Sequence, residues 1–401
     1  MYLAAMADLP TIDAFRNEVD AFFTTGLDEV FEGVDRSLDR SRAWRRRLFD
    51  AGLGAIDYPL EYGGRGLGPE FAQAFKEVGR GRIPREDSVF GIGVGMALPT
   101  IRDFGSAEMK QRFLRSGLQG EEIWCQLYSE PGAGSDLAAL TTRAVLDGDE
   151  WIVTGQKVWT SGAQHSQFGI LIARTDPDAP KHRGITMMVL PMEQAGVMVR
   201  PLVQMTGEAE FNEVFMDEAR IPRSWVIGEV NDGWRTAVAL LAHERVQTGT
   251  ASMNSSTGQR SKAGRVPIPV GQLVELARER GRIDEPLIRQ QLAELHTGER
   301  IVATLGARDG IHPSIGKLWR TKQGRAAAEL AAQLAFPTSP AWEHDDADAD
   351  YFAFHFLNCR GMSLGGGTDE IQRNTLGERA LGLPREPGPD KNTPFSQLLK
   401  N

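Results

Sequence analysis

Hydrophobic spacing changes its period twice along this chain, and that constrains the fold more than any other feature. Up to residue 123 the apolar positions recur at helical spacing, with Ile12, Phe15, Val19, Phe22 and Phe23 followed by Leu38, Trp44, Leu48 and Phe49. Gly52-Leu53-Gly54 and the connector at 58–69 interrupt that pattern, and helices are expected again at 69–80, 88–104 and 106–117. From 124 to about 222 the texture becomes short runs bounded by Gly, Pro or Asp, which predicts strands at 142–146, 150–158, 168–174, 184–190 and 211–216. From Asn231 the helical period returns, with Asp232 as an N-cap and Trp234, Ala237, Val238, Leu241 and Thr248 on one face. Further helices are expected at 269–280, across 285–335 and from near Thr368. The fold class is therefore α+β: a helical domain over 1–123, an antiparallel barrel or sandwich over 124–230 and a helical bundle over 231–401.

A chain of 401 residues can bury a large core in two or three domains. Its net charge of −9 argues against a nucleic-acid partner and gives no reason to invoke a membrane surface. The N-terminus has acidic residues, no basic region and no long apolar run, and no stretch approaches the ~20 apolar residues of a membrane span. Cys125 and Cys359 fit no CxxC pattern and read as two reduced thiols, so the expected setting is cytoplasmic. The small residues of VFGIGVGMALPTI at 89–101 allow close helix approach or could line a channel, and the acidic EHDDADAD at 343–350 reads as a solvated loop.

Residues 124–162 carry the chemistry. WCQLYSEPGAGSDLAAL is a Gly/Pro/Ser loop whose backbone N–H groups can face an acceptor. After a hairpin through Leu146-Asp147-Gly148-Asp149, the strand ending GQKVWTSGA presents Trp159, Thr160 and Ser161. An indole beside hydroxyls suits a flat heterocycle that must be both stacked and hydrogen-bonded. With GGTDEIQRN at 366–374 as a third motif in the same order, the chain resembles the acyl-CoA dehydrogenase family across most of its length.

That resemblance implies FAD held between the β domain and the C-terminal helices, with an acyl-CoA thioester against its ring. The reaction would remove a proton alpha to the thioester and pass a hydride from the beta carbon to the flavin, which calls for a carboxylate base and donors on the carbonyl. By resemblance, Ser129 and the backbone around Tyr128 bond the flavin's pyrimidine edge, Trp159 packs along the ring and Ser161 lies near N5. Ser135 would lie near the pantetheine or thioester, and Thr368 and Glu370 near the adenosine half. Tyr128 stands where a small or aliphatic residue is usual. No metal is implied.

The base is where the sequence departs most. The commonest members carry a glutamate where this chain has Gly366, so the usual base is absent, although the backbone N–H that binds the thioester oxygen remains. Some branches carry the glutamate on a C-terminal helix, followed by arginine, and His243-Glu244-Arg245 matches that pattern. Glu244 also follows Ala237, Leu240 and Leu241 by seven, four and three residues, where partial desolvation would raise its pKa toward a base's working range. Glu244 is thus the expected base and Arg245 a substrate contact; a structural role for the pair is the alternative.

An Arg-x-x-Phe-Gly segment and a Gln-x-x-Gly-Gly element, which in the family reach a neighbouring subunit's FAD, are not legible after Glu244. The implied assembly is a homotetramer or a mixed tetramer with a homologous subunit, and the usual electron acceptor is an electron-transfer flavoprotein. Two other readings stay open: a cofactor-poor partner subunit, or a same-fold flavin oxidase or monooxygenase.

Overall fold

The computed structural model describes residues 9–25, 37–251, 267–306, 308, 310–336, 347–385 and 392–398, without the side chains at 85, 86, 244–251, 306 and 347–350. Among these, two compact units separate. The first gathers the residues up to Leu202, Ala209–Glu244 and the tail at 392–398; the second holds Val203–Glu208 and the residues from Arg245 to 385.

In the first unit, helices α1 (Ile12–Thr24), α2 (Ser37–Asp50) and α3 (Pro69–Val78) meet over the predicted apolar stripe. Phe15, Val19, Trp44, Leu48 and Phe71 form one buried cluster. Thr11 caps α1 by accepting from the Ala14 N–H at 3.2 Å. The expected helix over 88–104 is broken. A 3-10 turn at Arg85–Phe90 and a π-helical turn at Gly93–Ala97 precede α4 (Leu98–Phe104). The reason is close packing: a Cβ on Gly93 would meet the Trp124 ring at 3.1 Å. α5 (Ala107–Gln119) follows, capped by Ser106.

The strands are β1 (Trp124–Leu127), β2 (Arg143–Asp147), β3 (Glu150–Ser161), β4 (Phe168–Arg174), β5 (Ile185–Pro191), β6 (Val197–Leu202), β7 (Phe211–Pro222) and β8 (Val226–Ile227). They form one eight-stranded sheet in the order β6-β7-β3-β2-β4-β5-β8, with β1 beside β4. It is mostly antiparallel, as expected, but β1 pairs with β4 in parallel and so does Arg143 of β2 with Arg174. β1, β6 and β8 are too short or too polar to announce themselves. All seven residues of β4 are buried, so it lies covered on both faces. On one face Ile170, Ile172, Met187 and Val189 pack with Ile101, Met109, Phe113 and Leu114. Phe113 stands edge-on to Trp124 at 5.3 Å and to Trp225 at 4.9 Å. Each such side chain contributes about 1.5–3 kcal/mol on burial. On the other face Leu171, Met188, Leu190, Val214 and Ile221 form a second cluster.

α6 (Gly233–Ala251) begins at the predicted place. Asp232 stands directly before it, but its carboxylate binds the Arg235 guanidinium at 2.6 Å. The buried face is Gly233, Thr236, Ala237 and Leu240, rotated from the expected one, since Val238 is exposed. The unit boundary falls inside this helix, after Glu244.

In the second unit α7 (Val270–Glu279), α8 (Pro286–Gly306), α9 (Pro313–Leu334) and α10 (Ala347–Met362) build a bundle around Leu273, Leu276, Ile288, Leu330, Leu334 and Phe352. The acidic segment is partly helical: Ala347–Asp350 form the first turn of α10, where negative charge suits the positive end of the helix dipole. The rest of it, 343–346, lies outside the described residues. α11 (Asp369–Thr375) closes the unit. Both cysteines are free and buried, and burial pushes the Cys125 thiol up to about 12. Among the described residues no helix is long and apolar enough to cross a membrane.

Candidate active site

The site residues fall into two groups, one on each unit. In the first unit the loop after β1 and the end of β3 lie side by side, joined by the Val158 N–H donating to the Ser129 carbonyl at 2.9 Å. This brings Tyr128, Ser129, Trp159 and Ser161 together. Strand pairing of β3 with β7 slips between Lys157 and Thr160, a bulge of the kind that re-aims a side chain. Within it Trp159 has φ +61°, which costs a non-glycine residue roughly 1–3 kcal/mol. The result is an indole 56% exposed, propped edge-on against Phe211 at 5.7 Å. A large apolar ring held in a strained backbone and turned outward points to a ligand face rather than to core packing. Asn212 stiffens the turn that follows, donating to the Thr160 carbonyl at 3.1 Å and to Gln164 at 2.6 Å.

Under the loop lies a buried ion pair that the sequence reading did not single out. Lys157 is fully buried, and its Nζ donates to Glu130 Oε1 at 2.8 Å and to the Tyr128 carbonyl at 3.0 Å. Glu130 also accepts from the Thr141 N–H at 2.7 Å, the Thr141 hydroxyl at 2.8 Å and the Thr142 N–H at 3.0 Å. Burial alone would raise the Glu130 carboxyl, but the Lys157 charge and these hydrogen bonds hold it down to about 2. Burial pushes the Lys157 ammonium down against the pull of Glu130. Arg174 completes the cluster, donating to the carbonyls of Ala138 (2.7 Å), Lys181 (3.0 Å) and Arg183 (2.8 Å) while the Phe395 ring covers it at 3.9 Å. Burial draws its guanidinium down to about 10. The available signal was a lysine in a strand at a position whose neighbours Trp151 and Val153 are inward-facing.

Among the described residues the Ser129 N–H has no protein acceptor, and the hydroxyls of Ser129, Ser135 and Ser161 have no protein partner. Ser129 and Ser161 are half-buried, whereas Ser135 is exposed. Tyr128 is buried in the core, so what it offers toward the loop is its backbone.

In the second unit Gly366 has φ +67°, a conformation other residues adopt only with strain, and its carbonyl accepts from Gln372 Nε2 at 2.7 Å. The Thr368 hydroxyl is engaged as the cap of α11, accepting from the Ile371 N–H at 3.2 Å. Asp369 is paired with Lys317 at 2.7 Å, and Glu370 is exposed, 3.6 Å from Arg373. Two carboxylates in its first turn make this helix start a poor place for a phosphate. Beside it α9 and α11 line a groove of about 550 Å³ that carries Lys322, Arg325 and Arg373 but also Glu329 and Asp369, along with Trp319. Glu244 and Arg245 lie on the backbone of α6, one in each unit, and their side chains lie outside the described residues.

Comparison with known proteins identifies the chain's relatives. The profiles of the acyl-CoA dehydrogenase N-terminal, middle and C-terminal domains match residues 10–121, 125–219 and 231–381. Acyl-CoA dehydrogenase IpdE1 of Mycobacterium tuberculosis is 39% identical over 393 residues, covering 94% of this chain and 98% of the relative. Among solved structures, the Tcur3481-Tcur3483 steroid ACAD aligns with a TM-score of 0.72 at 27% identity, covering 94% of this chain and all of that one. The ChsE4-ChsE5 complex from Mycobacterium tuberculosis aligns with a TM-score of 0.69 at 27% identity, covering 95% and 100%.

Proposed function

The chain belongs to the acyl-CoA dehydrogenase family, enzymes that oxidise a CH–CH bond, and on that premise we propose that it converts an acyl-CoA thioester to the trans-2-enoyl-CoA with Glu244 as base. Family members depend on FAD in general, and the residues here fit that group: an outward indole, a half-buried Ser129 N–H without a protein acceptor and the Ser161 hydroxyl. FAD when bound supplies the hydride acceptor. Trp159 packs along its ring, Ser161 bonds beside the reacting edge, and Tyr128 and Ser129 offer backbone to the pyrimidine. Ser135 meets the thioester arm. Thr368 and Glu370 flank the adenosine half.

One observation carries the choice of base. Position 366 has no side chain and a left-handed backbone with open space beside it, so it supplies no carboxylate of its own. The proton must leave by another group. Glu244 follows the buried Ala237 and Leu240 by seven and four residues on one helix, a register that continues an apolar face. The Gly366 N–H polarises the thioester carbonyl, and Arg245 steadies the bound substrate.

A glycine at 366 leaves room for a branched or ring-bearing acyl group, and the steroid ACAD among the solved relatives is of that kind. The Tcur3481-Tcur3483 steroid ACAD and the ChsE4-ChsE5 complex are each named for two proteins, which favours a mixed tetramer here over a homotetramer, with an electron-transfer flavoprotein as acceptor. The domain boundaries are placed at 123/124 and 230/231. The Glu244→Gln variant should fold, keep its flavin and lose about 10²–10⁴-fold in turnover; turnover at the wild-type rate would remove Glu244 from the mechanism.

A further inference from the structure

The buried ion pair does more than hold the loop. Lys157 donates to the Tyr128 carbonyl, and that carbonyl belongs to the same planar peptide as the Ser129 N–H. A cation on the oxygen of an amide polarises the whole unit and makes its N–H a stronger donor, the more so in a low-dielectric interior. Glu130 does not cancel this charge, because its two oxygens are shared with three further donors from Thr141 and Thr142. Arg174 adds a second buried cation to the cluster, which Glu130 and Asp176 both act on. The polarised Ser129 N–H is half-buried, has no protein acceptor among the described residues and belongs to the segment tied to Val158, the residue before the outward indole. Among the described residues no group uses this donor; a ligand acceptor would.

We infer that Lys157 is an electrostatic positioning residue that acts through the Tyr128–Ser129 peptide to favour the reduced over the oxidised flavin. The inference rests on the proposed flavin site. In the dehydrogenation, the alpha C–H bond breaks with its proton passing to Glu244. The beta C–H bond breaks with its hydride passing to flavin N5, and the carbon–carbon double bond forms. The flavin thereby gains two electrons and one negative charge, and a strengthened donor at its pyrimidine edge stabilises that charge more than it stabilises the neutral oxidised ring.

The test uses the full-length FAD-bound protein, with oxidised-FAD affinity measured by fluorescence quenching and the midpoint potential by dye equilibration. Removing Lys157 alone strands a buried carboxylate, so the main variant is Lys157→Met/Glu130→Gln, which removes both charges. Lys157→Gln/Glu130→Gln serves as the second, keeping a donor for the Tyr128 carbonyl with neither charge. Both should bind oxidised FAD within about threefold of wild type and hold reduced FAD about tenfold more weakly, a fall of about 30 mV for two electrons. A folded variant with bound FAD and an unchanged potential would overturn the inference while leaving the flavin site standing. A folded variant that no longer holds oxidised FAD would make Lys157 a structural clamp instead. Wild-type protein that takes up no FAD would defeat the flavin site and this inference together.

Discussion

The loop beside Trp159 and the segment around Gly366 carry motifs of the same family, yet they are held by opposite means. The first is fixed from beneath by fully buried Lys157, by the Glu130 carboxylate with four hydrogen bonds, and by Arg174 bound to three carbonyls. The second rests on a threonine cap, a glycine in the left-handed region and a single, largely buried Lys317–Asp369 pair. Buried charges are costly to leave unpaired, and the first region holds three such groups where the second holds one pair beside a cap worth about 1 kcal/mol. The β-domain loop is thus built to stay in one geometry, as a surface that must register a flat ring requires. The 366–370 segment can give way locally without threatening the bundle around Leu273 and Phe352.

That contrast can be broken by mutation. Lys157→Met should be the most damaging to folding, destabilising the protein by about 3–5 kcal/mol because Glu130 is left buried without its cation. Chemical unfolding monitored by tryptophan fluorescence measures it, and a loss below about 1 kcal/mol would mean that the pair is not the clamp. Acid comes next. Glu130 has a folded pKa of about 2, below the ordinary range of a free glutamate near 4.3. Its contribution is therefore complete above the unfolded pKa and is lost as pH falls from about 4.3 through about 2. Stability followed across that window should drop more steeply in wild type than in Lys157→Met/Glu130→Gln, and equal slopes would contradict the assignment. The smallest effect belongs to the second unit, where Thr368→Ala removes only a cap and should cost about 1 kcal/mol. A loss there as large as that of Lys157→Met would erase the distinction between the two regions.

Much of this architecture was legible from spacing. The helices of the first and last thirds follow apolar periodicity, and strands β2 to β5 and β7 follow alternation and turn residues. β1, β6 and β8 were not, because a strand of two to six residues in a Gly/Pro-rich setting gains its identity from the partner it pairs with rather than from its own pattern. The face of α6 was misjudged by including Val238, since in a helix with so many apolar and small residues the tertiary partner decides which stripe is covered. Trp159 and its neighbouring hydroxyls could be picked out from the sequence, and the structure turns the indole outward. Lys157 could not, since its importance depends on a carboxylate 27 residues earlier in the chain. The left-handed backbone at Trp159 is equally invisible in sequence, because it comes from the bulge against β7.

The central claim, that the proton alpha to the thioester leaves to Glu244, is tested most directly by wash-in of solvent deuterium at that carbon while acyl-CoA is bound. Wild-type protein should exchange the alpha position, and Glu244→Gln with its flavin still bound should not. Undiminished exchange in the variant would contradict the account.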